Sequence, residues 1–299
     1  MYSDLIRFIS PDRIKLNEPM SRHTYFKIGG PVDVMVLPDS VEEIARVLDY
    51  CRENSVNYFV FGMGSNILVK DKGIRGIAIK LGDSFNKITR HKENILLAEA
   101  GVTLAQLCEF AADHGLSGLE FAEGIPGSVG GAVVMNAGAY GGEMKDVLVK
   151  VLALTPAGEL VTLTGEDIKP GYRKTIFQNN RYIVLSTYLK LQLGNKEEIY
   201  SLMKQYSQQR RLKQPLEYPS AGSTFRRPEG VYVGPLIEQL GLKGFSIGDA
   251  QVSTKHAGFI INKGKATADD VIKLISYIQE KAQRELGIIL ETEIKIVGE

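Results

Sequence analysis

Apolar and polar positions alternate along the first hundred residues in short blocks that read as strands broken by two helices. Residues 33–37 (DVMVL) form a short apolar strand. Ser40 stands where a helix N-cap belongs, with Glu43 as its capping-box partner, and Ile44, Val47 and Leu48 give that helix an apolar stripe. Residues 58–61 are a β-rich run that stops at Gly62. Strand character resumes at 67–69 and 77–79, around the turn residues 71–73. A further strand covers 95–98, and Thr103 opens a helix that runs to about His114 and ends at Gly115. Strands return at 149–155 and 183–193, with a turn at 156–158. Ile199, Leu202, Met203 and Tyr206 mark a helix leading into the basic run Arg210, Arg211, Lys213. Thr267, with Asp270 in capping-box position, opens a long helix over 268–286. The chain closes on GIILETEIKIVGE, a strand pattern. Ile288, Leu290, Thr292, Ile294 and Ile296 share one face, and Glu291, Glu293 and Lys295 share the other.

One stretch follows neither period. Residues 124–143 hold seven glycines in twenty positions, a load expected to preclude a regular helix or an exposed strand. Elsewhere the composition is that of an ordinary globular chain, with 44% hydrophobic and 24% charged residues. A length of 299 residues fits about two domains with cores that need no staples. A net charge of +1 argues against a dedicated nucleic-acid binder. No apolar run approaches the roughly 18 residues of a membrane span, and the N-terminus lacks the order of a signal peptide. Cys51 and Cys108 make no disulfide framework, and the four histidines share no metal-ligand spacing. A reduced cytoplasmic protein without a metal is expected. Charge is uneven locally: residues 200–265 carry ten Lys/Arg against four Asp/Glu. That excess fits an anionic small molecule, and equally a solvated charged face.

The glycine-rich segments carry the candidate chemistry. Residues 62–66 (GMGSN) follow a strand, as a phosphate-cradling loop does, and Ser65 adds a hydroxyl donor. A dinucleotide fingerprint would continue into a helix, whereas Ile67, Leu68 and Val69 continue as strand. The loop is therefore no Rossmann turn, and a ligand-free hairpin is the competing reading. Residues 126–132 and 136–138 leave further backbone without side-chain cover. Two such cradles suit a long ligand with an anionic middle. Arg173, just after Pro170 and Gly171, is either a carboxylate clamp or a surface arginine. Ser223 lies in a small-residue loop that lacks a nucleophile elbow, so by itself it reads as a turn serine. Glu291 and Glu293 by themselves read as solvated.

Six segments taken in order resemble the UDP-N-acetylenolpyruvoylglucosamine reductase family in its shorter (type II) form, over about residues 17–298. They are TYFKIGG (24–30), GMGSN (62–66), GLEFAEGIPGSVGGAVVMNAGAYGGE (118–143), GYRKTIF (171–177), PSAGSTF (219–225) and LETEIK (290–295). The resemblance implies an α+β fold. A vanillyl-alcohol-oxidase-type (PCMH-type) FAD-binding region would span 1–196, in subdomains of about 1–80 and 81–196. A smaller α+β domain for the UDP-sugar would span 197–286, and residues 287–299 would return as a strand to the N-terminal region. Implied FAD contacts are Tyr25, Lys27, Ile28, Gly29 and Gly30 in the first segment, and Gly62, Met63, Gly64, Ser65 and Asn66 in the second. Gly101 is another, followed by Pro126, Gly127, Ser128, Gly130, Gly131 and Ala132, then Asn136, Ala137 and Gly138.

The implied reaction is NADPH-dependent reduction of UDP-N-acetylglucosamine enolpyruvate to UDP-N-acetylmuramate, in peptidoglycan precursor synthesis. Hydride from the reduced flavin adds to the terminal carbon, and negative charge spreads onto the neighbouring carboxylate. Arg173 and Glu293 match the family residues that stabilise that charge, Glu293 as a hydrogen-bond donor. Ser223 matches the general acid that protonates the second carbon. Arg211, Arg227, Lys243, His256 and Asn262 align with UDP-sugar contacts, and Tyr172 would cover the substrate. The partners implied are small molecules only, for a monomer. LETEIK departs from the LEPEVR common in relatives: Thr292 replaces a proline and Lys295 an arginine. Two other classes stay open on the residues: a flavin oxidase of the same fold, with His23 as the point of covalent attachment, and a binding module without turnover.

Overall fold

The computed structural model describes residues 2–299. The chain forms two compact units. The first comprises residues up to Leu16, Val34–Met63 and Gly76–Arg210, and the second comprises Asn17–Asp33, Gly64–Arg75 and Arg211–Glu299. Two short N-terminal segments thus pack with the C-terminal third.

The first unit is organised by a five-stranded antiparallel sheet, in the order Leu160–Thr164, Leu148–Leu154, Ile183–Lys190, Ile95–Glu99, Ile88–Lys92. Its helices are α1 (Val41–Glu53), α2 (Leu104–Asp113), α3 (Val129–Met135), α4 (Ile176–Asn180) and most of α5 (Lys196–Lys213). Ser40 caps α1 by accepting the Glu43 N–H at 3.2 Å. The expected capping box is only half made. The Glu43 carboxylate takes the Asp39 N–H at 2.9 Å and a two-pronged pair from Arg13 at 2.5 and 2.6 Å. At α2 the box is complete between Thr103 and Gln106.

The glycine block departs from expectation, because α3 forms inside it. Ser128 caps that helix, the Gly130 N–H donates to Ala100 O at 2.9 Å, and a Cβ on Gly130 would stand 2.8 Å from Ala100 Cβ. The glycine is needed for close approach of helix to strand end. That tertiary contact outweighs its helix penalty of about 1 kcal/mol.

The second unit holds four antiparallel strands in the order Ser220–Ser223, Phe259–Asn262, Ala250–Val252, Ser246–Ile247, with helices α6 (Val233–Gln239) and α7 (Ala268–Leu286). Thr267 and Asp270 make the expected capping box on α7. The Asp71 carboxylate adds two long-range acceptors, for Ala268 N–H at 2.8 Å and Asp269 N–H at 3.0 Å. Val271, Leu274, Ile275 and Ile278 point α7 into the core, each worth about 1.5–3 kcal/mol of burial.

The closing segment is not one continuous strand. Lys295–Val297 pairs in parallel with Ile67–Val69, and Thr292 makes a separate antiparallel bridge to Phe225. The predicted alternation survives, with Leu290 and Ile294 buried and Glu291 and Lys295 exposed, but it serves two partners in succession. Among the described residues no helix is long and apolar enough to cross a membrane.

Candidate functional site

In the first unit the strand Tyr58–Phe61, parallel to Ile74–Lys80, delivers the chain to Gly62. A Cβ there would run into Ser128 Oγ, so the loops at 62–63 and 126–128 touch. Backbone bonds from Leu104 to Gly127 (3.0 Å) and from Val129 to Val102 (2.8 Å) pin the second loop in place. A Cβ on Gly101 would collide with Gly82 O, while Gly131 is exposed and has Ser128 Oγ, 3.6 Å from its Cβ position, as its near neighbour. Gly62, Gly127 and Gly131 leave partly exposed backbone there, while Ser128 is buried and its hydroxyl accepts the Gly131 N–H at 3.5 Å. The cradle fits a group such as FAD, whose diphosphate and flat ring need close backbone approach. Of the implied contacts, Gly130 and Ala132 are buried in protein packing, whereas Pro126 and Gly131 are at the surface.

In the second unit residues 24–30 lie along residues 64–71. The Tyr25 N–H donates to Gly64 O and the Gly30 N–H to Lys70 O, both at 3.1 Å. Side chains are excluded here too. A Cβ on Gly64 (φ +66°) would strike His23 O, and one on Gly30 would strike Asp71 O. Ile28 is core, whereas Tyr25 is exposed, with partial burial pushing its phenol up from the ordinary value. His23 bonds Glu18 through Nε2 at 2.9 Å.

Arg173 sits at the tip of a tight turn. The Gly171 N–H donates to Lys174 O at 2.8 Å, and the Lys174 N–H returns to Gly171 O at 3.2 Å. Its φ is +53°, a left-handed conformation that costs a non-glycine residue about 1–2 kcal/mol. Its guanidinium donates to Gly138 O at 3.0 Å and lies 5.2 Å from the ring centre of the exposed Tyr172. The buried Asn136, itself at φ +42°, donates to Glu143 (2.9 Å) and Gly171 O (3.0 Å) and accepts the Lys145 N–H (3.0 Å). Burial would raise the Glu143 pKa. The hydrogen bonds from Lys145 and Asn136 and the charge of Arg173 outweigh it and hold the carboxyl below the usual range. Asn136 therefore braces the arginine loop, and its side chain is committed to that task.

Ser223 and Glu293 both lie in the second unit. Gly222, at φ +76°, makes an irregularity in the strand Ser220–Ser223, and Ser223 then pairs with Phe259. The next residue, Thr224, donates its N–H to Gly258 O at 2.9 Å and accepts the Glu293 N–H at 2.8 Å. Asn66 closes the group: its O accepts the Lys295 N–H at 2.9 Å, and its amide donates to Glu293 O at 3.3 Å. The candidate acid, the candidate glutamate and the last residue of the GMGSN loop are thereby held on adjoining backbones. Ser223 and Glu293 are half-buried.

The implied UDP-sugar residues divide. Arg211 is exposed near the end of α5, and the exposed Arg227 stacks 3.7 Å from the ring centre of Tyr232. Lys243 pairs with Glu238 at 2.8 Å. His256 accepts the Gly258 N–H through Nδ1 at 3.0 Å, and burial pushes its pKa down. Asn262 donates to Phe26 O at 3.2 Å and accepts from Gly264 (2.8 Å) and Ala266 (3.1 Å). That leaves one Nδ2 hydrogen for any other partner. Sequence reading missed Arg210, which is buried against Gly124, donates to Glu123 O at 3.3 Å and faces the Tyr140 ring at 5.4 Å. Its place seven residues after the buried Met203 was the available signal, because it puts Arg210 on the inner face of α5.

Comparison with known proteins agrees with these features. A model of an FAD binding domain matches residues 32–164, so the fold class is that of α+β flavoproteins with this domain. A glucose dehydrogenase, Phl p 4.0202, shares that fold alone, at a TM-score of 0.51 and 16% identity over 64% of this chain and 44% of its own. The model of the UDP-N-acetylenolpyruvoylglucosamine reductase C-terminal domain matches residues 214–297. UDP-N-acetylenolpyruvoylglucosamine reductase of Syntrophomonas wolfei is 60% identical over the whole of both chains. The crystal structure of the reductase from Thermus caldophilus is similar at a TM-score of 0.82 and 36% identity, over 95% of this chain and 98% of that one. The chain belongs to the UDP-N-acetylenolpyruvoylglucosamine reductase family.

Proposed function

We propose that this chain reduces UDP-N-acetylglucosamine enolpyruvate to UDP-N-acetylmuramate at the expense of NADPH, as a cytoplasmic monomer serving peptidoglycan precursor synthesis. What carries the reading is full-length 60% identity to a named reductase in a chain that retains Arg173, Ser223 and Glu293. FAD would be held by the partly exposed backbone around Gly62, Gly127 and Gly131 in the first unit. When bound it supplies the two reducing equivalents. Residues up to 196 would serve the flavin, 197–286 the UDP-sugar, and 287–299 would bring Glu293 to the substrate.

The chain's own residues then handle charge and proton. Arg173 binds the enolpyruvyl carboxylate and stabilises the charge that grows there, and Glu293 in its acid form donates a hydrogen bond to it. The Ser223 hydroxyl gives its proton to the second carbon of the enolate, a stronger base than the alkoxide left behind. Tyr172, Arg211, Arg227 and Lys243 are the proposed contacts to the UDP-sugar. His256 and Asn262 are proposed contacts as well, Asn262 through its one remaining Nδ2 hydrogen.

The test follows the visible spectrum of the purified holoenzyme, given anaerobic NADPH and then the enolpyruvyl sugar. Flavin bands should bleach with NADPH and return with the sugar. In Ser223→Ala the first step should persist, while the second slows by roughly 10²–10⁴-fold. Reoxidation by air but not by the sugar would point to an oxidase, and equal loss of both steps would remove Ser223 from its role.

A further inference from the structure

We propose that Thr175 and Gln178 are positioning residues that clamp the Arg173 turn to the C-terminal end of α3. The inference rests on the reading of Arg173 as the group that holds the substrate carboxylate. The last four carbonyls of a helix lack intrahelical donors. The Val134 carbonyl, one of these in α3, accepts from Thr175 Oγ1 at 2.7 Å and from Gln178 Nε2 at 3.0 Å. Both of its lone pairs are thus filled by side chains from just beyond the turn. The Gln178 amide also donates to Arg173 O at 3.0 Å, and Asn136, the C-cap of α3, donates to Gly171 O at 3.0 Å. The carbonyls of Gly171 and Arg173 are therefore both fastened to one helix end.

This fastening explains a local violation. A tight turn with positive φ at its third position ordinarily carries glycine or asparagine there, and this one carries Arg173 at +53°. Such an outlier persists only where its surroundings over-determine it. The fastened carbonyls do so, and the guanidinium is left pointing toward the hairpin oxygen of Gly138 at 3.0 Å. With the clamp removed, Arg173 relaxes toward negative φ. Its Cα–Cβ direction then swings, and the guanidinium leaves the place where it meets the carboxylate.

The experiment measures both half-reactions anaerobically on FAD-loaded protein. Gln178→Leu and Thr175→Val should each slow reoxidation by the enolpyruvyl sugar roughly 10- to 100-fold, the scale expected for a misplaced catalytic group. The flavin spectrum and its reduction by NADPH should stay within about twofold, whereas apparent affinity for the sugar should weaken along with the rate, because Arg173 also binds its carboxylate. Thr175→Ser should restore the rate. In an Arg173→Ala background Gln178→Leu should add nothing further, because there is no guanidinium left to position. Wild-type reoxidation in Gln178→Leu, an effect that adds in the Arg173→Ala background, or parallel loss of both half-reactions would overturn the inference alone. If Arg173→Ala itself reoxidises at the wild-type rate, the reading of Arg173 falls and takes this inference with it. Should Thr175→Val not accumulate as folded holoenzyme, the half-buried Gln178→Leu carries the test.

Discussion

The two units hold their candidate site residues by opposite means. In the first, Arg173 stands in an unfavourable backbone conformation maintained by side chains, namely Asn136, Thr175 and Gln178 acting on carbonyl oxygens. In the second, Ser223 and Glu293 stand on a backbone ladder that runs from Gly258 through Thr224 to Glu293, with the Lys295 N–H on Asn66 O just beyond. A ladder of main-chain bonds is indifferent to most substitutions, because every residue but proline supplies the same donor and acceptor. A clamp made of side chains is not. The arginine loop should therefore be fragile to ordinary mutation, and the segment carrying Ser223 and Glu293 should be fragile to proline alone.

The sharpest way to break that comparison is at Arg226, whose N–H donates to Glu291 O at 2.8 Å. Arg226→Pro removes this rung and should cost about 3–4 kcal/mol, visible as a large fall in the thermal midpoint of the holoenzyme. Arg226→Ala keeps the rung and loses the 3.2 Å ion pair to the exposed Glu291, so it should cost no more than about 1 kcal/mol. Equal losses would mean that side chains hold the second unit's segment as well. Next in size is Asn136→Ala in the first unit. It deletes three hydrogen bonds and places alanine at φ +42°, for about 2 kcal/mol. Asn136→Gly relieves the backbone but not the lost bonds, so it should recover only part of the difference in melting temperature. Full recovery would show that the loop depends on backbone freedom rather than on the clamp.

How much of this was legible in the sequence follows the same division. Caps at Ser40, Thr103 and Thr267 could be read because a cap is a local bond between residues three apart. The helix inside the glycine block could not, since the reason for Gly130 is Ala100, thirty residues away. Half of the Glu43 capping box was lost because its carboxylate takes the long-range Arg13 and the Asp39 N–H in place of the Ser40 N–H. The alternation of the closing segment was legible. That it changes partner between Thr292 and Lys295 was not, because periodicity reports which face is buried and says nothing of the neighbour. Arg173 stood out only as a loop arginine, since a positive φ leaves no trace in sequence when the residue is neither glycine nor asparagine. Family resemblance, rather than spacing, pointed to it and to Ser223 and Glu293.

The smallest expected effect is the most informative about the ladder. Thr292 occupies the place where relatives often carry proline, and on its face proline in a strand should be destructive. Here the register makes it harmless. Around the bridge between Phe225 and Thr292, the two rungs run from Arg226 N–H to Glu291 O and from Glu293 N–H to Thr224 O. The N–H of Thr292 belongs to neither. Proline also requires an extended residue before it, and Glu291 already lies in the extended ladder. Thr292→Pro should therefore shift stability by less than about 1 kcal/mol, with a small gain from restricting the unfolded chain. It should leave both half-reactions unchanged. One position separates the rung residue Glu293 from the residue between rungs. A loss at Thr292→Pro comparable with that at Arg226→Pro would mean the register is displaced by one, with Glu293 turned to the opposite face.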